Sequence, residues 1–509
     1  MALLDAAKKV AKEFEYTKEN VNLGVKEFLR EMDEGLQATG TDLSQIPTYV
    51  TSVPTGTEKG LYLAVDLGGT NFRVCSIELN GDSTFHLTQS KIAVPKELQN
   101  AKTAPELFAF LAKQIEVFLH KHHSERFQTS LRRRNTISTD SGFRDEDVFQ
   151  LGFTFSFPVE QNGINKGKLI RWTKGFNIED AIGKDVCALL QFEIDALNLP
   201  VKVAALVNDT VGTLMARSYT SPGKTGTLIG AIFGTGTNGA YVEKLQKVTK
   251  LFKADGEVVF DKTAENMVVN SEWGSFDNHL RVLPQTKYDK ELDDKSINPG
   301  IQMFEKLVSG MFLGEILRLA LVDLVKDSSV GLFSDENSGM NDVHSTTTID
   351  EDSALFKQWG LDTSFMSTVE NDSTESLKAV RQALAKDLGI NAASHEDAEA
   401  VKILVHAIGE RAARLSAVPL GAMIHSTGAL KDEVVDIGVD GSLVEFYPNF
   451  EEMIRSGLRD ITEIGAKGEK KIRIGIAKDG SGVGAALIAL VAGSMQGAPK
   501  TNGMNAISE

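Results

Sequence analysis

Apolar positions along this chain follow two rhythms that exchange places. Between residues 2 and 37 they return every three or four positions, as at Val21, Val25, Phe28 and Leu29, and this predicts helices. Residues 38–60 are rich in Thr, Pro, Gly and Ser and predict a connecting loop, after which a buried strand pattern begins at Leu61. A helix is predicted over 103–125, followed by a charged loop from Leu131 to Asp147. Strands are predicted at 149–157 and 201–207, with a helix at 183–198 between them. Helical periodicity returns at 301–328, 373–388 and 396–415, whereas 329–372 is polar and predicts loops with short helices. A strand at 471–477, a Gly-Ser-Gly step and an apolar helix at 483–492 come last, and the tail beyond Gly493 is expected to be disordered. Strands alternating with helices predict an α/β fold.

Two stretches echo each other. Leu63 to Val74 and Ile229 to Val242 each join two apolar strands through a Gly-Thr-Asn turn, at 69–71 and 236–238. A duplicated α/β unit is expected, with two similar lobes, a cleft between them, and one glycine turn from each lobe facing a shared ligand.

Composition narrows the functions. A chain of 509 residues exceeds one hydrophobic core, so at least two lobes are expected. The net charge of −16 disfavours binding to nucleic acid or to an anionic membrane through the overall field. An anionic ligand therefore needs locally placed positive groups. No apolar run reaches the roughly 18 residues that span a bilayer. The N-terminal residues mix Lys with Asp and Glu, unlike a signal or transit peptide. Cys75 and Cys187 sit in apolar surroundings and read as buried thiols of a reducing compartment. A cytoplasmic protein is expected.

Five motifs carry chemistry. In LAVDLGGTNFRV, Gly68 and Gly69 let the backbone turn and approach a ligand, Thr70 and Arg73 add donors, and Asp66 at the strand end suits the water shell of Mg²⁺. In IGAIFGTGTNGAYV, Gly234, Thr235 and Gly236 repeat that logic. In VAALVNDTVGT, a strand ends at Asn208-Asp209, and Asp209 is a candidate general base for a hydroxyl. In LGFTFSFP and RWTKGF, Ser156 and Thr173 are candidates for sugar hydroxyls, and Lys174 for a transferring phosphoryl group. In VNSEWGSFDN, Glu272 beside Trp273 suits a polyol. Two look-alikes fail. SYTSPGKT has Ser218 where a phosphate loop needs Gly, and DGSGVGAAL has Ala485 where a dinucleotide fingerprint needs its third Gly. His120, His122 and His123 at a helix end, and Arg132 to Arg134 before Thr136 and Ser138, read as solvated surface.

In this order the motifs resemble the hexokinase family, and SGMFLGEILR and AKDGSGVGAAL resemble its fungal glucokinase branch. The resemblance spans about residues 15 to 495. It implies a two-lobed, actin-like (ribonuclease-H-like) ATPase fold, duplicated, with a cleft between a small and a large domain. Residues 1–60 would pack on the large lobe, 61–208 form the small lobe, 209–465 the large lobe, and 466–493 return to the small lobe, with 494–509 as tail. It implies ATP-dependent phosphorylation of glucose at its 6-hydroxyl, with fructose and mannose as possible further acceptors and a sugar sensor as the non-enzymatic alternative. Asp209 would be the base and Lys174 the phosphoryl-stabilising lysine. Ser156, Thr173, Asn208, Asn238 and Glu272 would meet sugar. Asp66, Gly68, Gly69, Thr70, Asn71, Arg73, Lys91, Thr235, Gly236, Gly441 and Ser442 would meet ATP. Mg²⁺ would be held by ATP and by waters near Asp66 and Asp209, with no direct protein ligand. A second sugar acid is expected at Asp294, six residues before the glycine of Asn298-Pro299-Gly300. No nucleic-acid or membrane partner is expected, and the chain is expected to be a monomer or weak homo-oligomer.

Overall fold

The computed structural model describes residues 2–68, 71–136, 143, 145–172, 175–253, 260, 262–334, 346–477 and 479–496. Its frame is two sheets of the same design. The first contains β1 (Lys59–Leu67), β2 (Asn71–Asn80), β3 (Phe85–Ala93), β4 (Phe149–Phe155) and β5 (Val201–Val207), in the order β3-β2-β1-β4-β5. Strands β1 to β3 are antiparallel, while β4 and β5 lie parallel to β1. The second contains β6 (Thr227–Phe233), β7 (Thr237–Lys244), β8 (Asn266–Asn270), β9 (Val435–Asp440) and β10 (Ile472–Ile476), in the order β8-β7-β6-β9-β10. Here too the first three strands are antiparallel and the last two parallel to the first. A two-residue strand, Ile46–Pro47, adds an edge beside β8. The shared order is the duplication that the paired Gly-Thr-Asn turns predict.

Seven helices matter to the site: α1 (Ala2–Glu13), α2 (Lys18–Gln37), α3 (Asp209–Thr220), α4 (Met303–Val308), α5 (Gly310–Lys326), α6 (His395–Thr427) and α7 (Gly480–Gln496). Helix α2 starts at a capping box in which Thr17 and Asn20 satisfy each other's backbone amides. Helices α1 and α2 pack on α6, the long helix under the second sheet. The two units exchange helices. Strand β5 of the first sheet runs into α3, which packs on β6 of the second, and β10 of the second runs towards α7, which packs on β1, β4 and β5 of the first. Helices α3 and α7 cross on glycine: a Cβ on Gly484 would stand 2.1 Å from the Gly212 Cα.

Several expectations need correction. The final segment does not return whole to the first lobe, because Ile472–Ile476 pairs in parallel with β9, and only α7 lies on the first sheet. Helix α7 begins at Gly480 and reaches Gln496, past the expected end; residues 497–509 lie outside the described set. Leu131 to Thr136 is helical, as the end of Ser124–Thr136, while Ser138 lies outside the described residues. The histidines are not all solvated. The rings of His122 and His123 are half-buried against Phe118. Both cysteines are buried and unpaired, and burial pushes the Cys75 thiol up to about 12.

Candidate active site

The parallel strands of each sheet end on one edge, and that edge carries the chemistry. In the first sheet Leu67 pairs with Phe155 and Thr154 with Val207, so Gly68, Ser156 and Asn208-Asp209 emerge side by side. The Ser156 amide donates to the Leu67 carbonyl at 3.3 Å. Asn208 caps α3: its Oδ1 accepts from the Thr210 amide at 3.0 Å and from the Thr210 hydroxyl at 2.5 Å. Asp209 is thereby fixed as the first residue of α3, with its Oδ1 2.9 Å from the Thr210 amide. The amide end of a helix favours a negative charge there.

Opposite lies a set of acids and amides on the second unit. Asn238 on β7 donates through Nδ2 to Asn270 Oδ1 (2.9 Å) and to Glu272 Oε1 (3.1 Å). Asn270, the last residue of β8, donates to the same Glu272 oxygen at 2.7 Å. Glu272 itself is in the left-handed region (φ 54°), which turns the chain from β8 into the short turn Trp273–Ser275. Trp273 is fully buried, its indole N–H bonded to Thr237 Oγ1 at 3.0 Å, and its ring lies where a Cβ of residue 239 would be, which Gly239 leaves open. Glu305, on α4, accepts the Thr237 amide through Oε2 at 3.0 Å. Burial raises the Glu272 carboxyl, and the Glu305 charge adds to this, against the bonds from Asn270 and Asn238. Burial likewise raises Glu305; the Thr237 amide opposes the shift, and the Asp209 charge reinforces it. Asp209, Glu272 and Glu305 thus form a chain of mutually repelling carboxylates across the two units. A ligand rich in hydroxyl donors relieves that repulsion.

The glycine turns flank this set. In the first, the Gly68 amide donates to Asn71 O at 3.2 Å; Gly69 and Thr70 lie outside the described residues. Gly68 does not take up a positive φ. Arg73 bonds Asp66 through Nη2 at 3.0 Å, approaches Asp479 at 3.7 Å, and pairs across β2–β3 with the exposed Lys91. In the second, the Gly234 amide donates to Gly236 O at 3.0 Å, and the first amides of α5 support the turn: Gly310 to Gly234 O at 2.8 Å and Met311 to Thr235 O at 3.1 Å. Thr235 and Ser442 are exposed. Gly441, at φ 112°, packs on Phe233, where a Cβ would stand 2.5 Å from its carbonyl carbon. Asp440 is raised by burial and by Glu445 and Asp479, against the pull of Arg73, so the first unit's arginine lies within electrostatic reach of the second unit's strand end.

Most of the expected site therefore converges. Thr173 and Lys174 fall outside the described residues. Asp294 does not join these residues: it is the exposed last residue of the helix Lys287–Asp294, and the acid coupled to both Glu272 and Asp209 is Glu305. Counting back from Pro-Gly misplaced it. Glu305 falls off the apolar side of MFEKLV, so the local pattern gave no signal for it. Asn270, Asp440 and Asp479 were also missed. Each ends a strand or opens a helix at the same edge, a position that the strand-end rule marks. The rejected look-alikes have structural explanations: Gly223 makes a tight turn (φ 73°), and in DGSGVG Gly480 and Gly484 serve the α3–α7 crossing while Gly482 faces Cys75.

Comparison with known proteins agrees. Residues 6–219 and 228–491 each match the Hexokinase family. A glucokinase of Aspergillus niger is 63% identical over 96% of this chain and 97% of its own length, and glucokinase-1 of Saccharomyces cerevisiae is 42% identical over 96% and 98%. A hexokinase of Schistosoma mansoni solved with glucose superposes with a TM-score of 0.74 at 32% identity, covering 96% of this chain and 98% of that one. No helix among the described residues is long and apolar enough to cross a membrane. With its duplicated, actin-like architecture and these matches across nearly its whole length, the chain belongs to the hexokinase family and is a hexose kinase.

Proposed function

We propose that the chain transfers the γ-phosphoryl group of ATP to the 6-hydroxyl of glucose, giving glucose 6-phosphate and ADP. The observation that carries this is the meeting of Asn208 and Asp209, at the strand ends of the first sheet, with Glu272, Glu305, Asn238 and Asn270 of the second unit, between two glycine turns. Carboxylates and amides suit a polyol, and backbone amides in glycine turns suit phosphates. The kinases named above as glucokinases support glucose as the acceptor.

Asp209 is the base. It takes the 6-hydroxyl proton as the O6–P bond forms and the bond from Pγ to the ADP oxygen breaks. Glu272, Glu305, Asn238, Asn208, Ser156 and Thr173 hold the sugar, and Lys174 meets the charge on the transferring group. Asp66, Gly68 to Asn71, Arg73, Lys91, Thr235, Gly236, Gly441 and Ser442 form the nucleotide side. The carboxylate oxygens of Asp66 and Asp209 at the strand ends are the donor chemistry that a hydrated Mg²⁺ takes, and the ion supplies charge neutralisation on the phosphates when bound with ATP. The lobes close on sugar, so the site is completed around the acceptor rather than around water. We place the enzyme in the cytoplasm, as a monomer or weak homo-oligomer.

The test is ATP-dependent turnover of glucose, fructose and mannose by purified protein, with Asp209→Ala as control. Turnover of glucose with little on fructose, lost in the variant, is expected. Equal turnover of both would make it a general hexokinase, and glucose binding without turnover would make it a sensor.

A further inference from the structure

The segment that carries Glu272 is fastened to a helix far from it in sequence. Phe28 of α2 places its ring 5.0 Å from Phe276. One helical turn on, Glu31 accepts the Asp277 amide through Oε2 at 3.2 Å. Asp277 is fully buried in a left-handed conformation (φ 50°). Its carboxylate collects three amides: Arg281 at 2.7 Å, and Val282 and Leu283 at 2.8 Å each. The stretch after Glu272 is thus wound on Asp277, and Glu31 fastens that winding to α2. Only the short turn Trp273–Ser275 lies near the Glu272 end of this stretch, with Trp273 buried. A shift at Asp277 has little slack in which to dissipate before it reaches Glu272.

The fastening point is electrostatically tense. Carboxylate oxygens of Glu27, Glu31 and Asp277 lie within 4.8 Å of one another. On α2, Arg30 reaches Glu27 at 2.6 Å and Glu31 at 3.3 Å, and it also pairs with Glu34. On the loop, Arg281 reaches Glu27 at 3.2 Å. Ahead of α2, Tyr16 lies near Asp277, and Arg414 of α6 is occupied by the Tyr16 carbonyl and by Asp460 of the helix Phe450–Asp460. Glu31 is 4% exposed. Burial, followed by the charges of Asp277 and Glu27, pushes its carboxyl up to about 7, against the Asp277 amide and Arg30. A protonated Glu31 still accepts the amide and no longer repels its neighbours.

We propose that Glu31 is a positioning residue for the sugar acid Glu272: protonated, it holds the Asp277 segment on α2; ionised, it loosens that segment, so sugar affinity falls as pH rises through neutrality. This rests on the reading of Glu272 as a sugar ligand.

The experiment is the glucose KM and kcat of the full chain between about pH 5.5 and about pH 8.5, bracketing the Glu31 transition, for wild type, Glu31→Gln, Glu31→Ala and Glu272→Gln. Glu31→Gln keeps an acceptor for the Asp277 amide without a charge. Its KM is expected to stay near the acid-side wild-type value across the range, while the wild-type KM rises about fivefold relative to it, with kcat little changed. Glu31→Ala is expected to have a raised KM at every pH. Parallel profiles for wild type and Glu31→Gln, or a Glu31→Gln KM as high as that of Glu31→Ala, overturn the proposal. If Glu272→Gln leaves the glucose KM unchanged, the sugar-site reading fails and this proposal falls with it. A raised KM in Glu272→Gln with parallel Glu31→Gln and wild-type profiles removes the Glu31 role alone.

Discussion

The turn after β1 and the turn after β6 occupy equivalent places in two units of identical strand order, yet they are braced differently. Among the described residues, the first is closed by a backbone bond from Gly68 to Asn71, above the Asp66–Arg73 pair. The second is bonded by the first two amides of α5, packed against Gly441, and linked through Thr237 to Glu305 and Trp273. The two turns share one design, and the second is bonded to the acids proposed to hold sugar. Perturbing the second turn is therefore expected to disturb those acids as well.

The largest effect expected is independent of bracing. Asp209→Ala loses kcat by about 10³-fold with glucose binding retained, because a base is removed and the pocket is not. Steady-state kinetics with a separate binding titration check this. The comparison itself is tested by alanine at each turn. Gly441→Ala puts a Cβ 2.5 Å from Phe233 backbone at φ 112°, and a stability loss of about 3 kcal/mol is expected. Gly68→Ala meets only Asn71 O among the described residues, at 3.9 Å, and is expected to fold with an unchanged Tm. Equal Tm losses would dissolve the contrast. Gly236→Ala sharpens it: its Cβ would stand 2.8 Å from Glu305 Oε2, so a substitution in a phosphate turn is expected to raise the KM for glucose.

Next comes the identity of the second acid. Glu305→Gln is expected to raise the glucose KM by about tenfold, as for loss of a charged hydrogen bond. Asp294→Ala, on an exposed helix end, is expected to stay within about twofold and below the effect of Glu272→Ala. The reverse order would restore the placement first expected from sequence.

The smallest effect concerns stability against pH. The folded-state carboxyl of Glu31 lies above its ordinary value of 4.5, so the folded chain holds that proton more tightly than the unfolded chain. Its contribution is full below 4.5, is lost as pH rises towards about 7, and is constant above. Glu31→Gln is expected to gain Tm relative to wild type across that window and to run parallel to it beyond, as thermal melts at a series of pH values would show.

Much of the frame was legible in the sequence because strand ends announce themselves. Val207-Asn208-Asp209 and Val65-Asp66 are apolar runs broken by polar residues, and a buried parallel strand cannot continue through such a break. The repeated Gly-Thr-Asn predicted two units of one design. What was not legible depended on packing across long separations. Glu305 lies in a helical pattern that reads as amphipathic, and only the fold brings it to Thr237. Strand β10 carries the same local pattern wherever it pairs, so its place beside β9 had to come from the sheet. The glycines of DGSGVG look like a ligand turn in sequence, but the use of Gly484 is set by a neighbour, Gly212, more than two hundred residues away.

That crossing has a mechanical consequence. Helices usually interlock by ridges of side chains seated in grooves, which selects a few preferred angles. Where Gly212 meets Gly484 there are no teeth to engage. At that one point the two rods touch backbone to backbone, each packed on the other unit's sheet, while Val211, Leu214 and Met215 interlock with Val483, Ala486 and Leu487 around it. A methyl group added at either glycine would wedge the rods apart, and with them the two units.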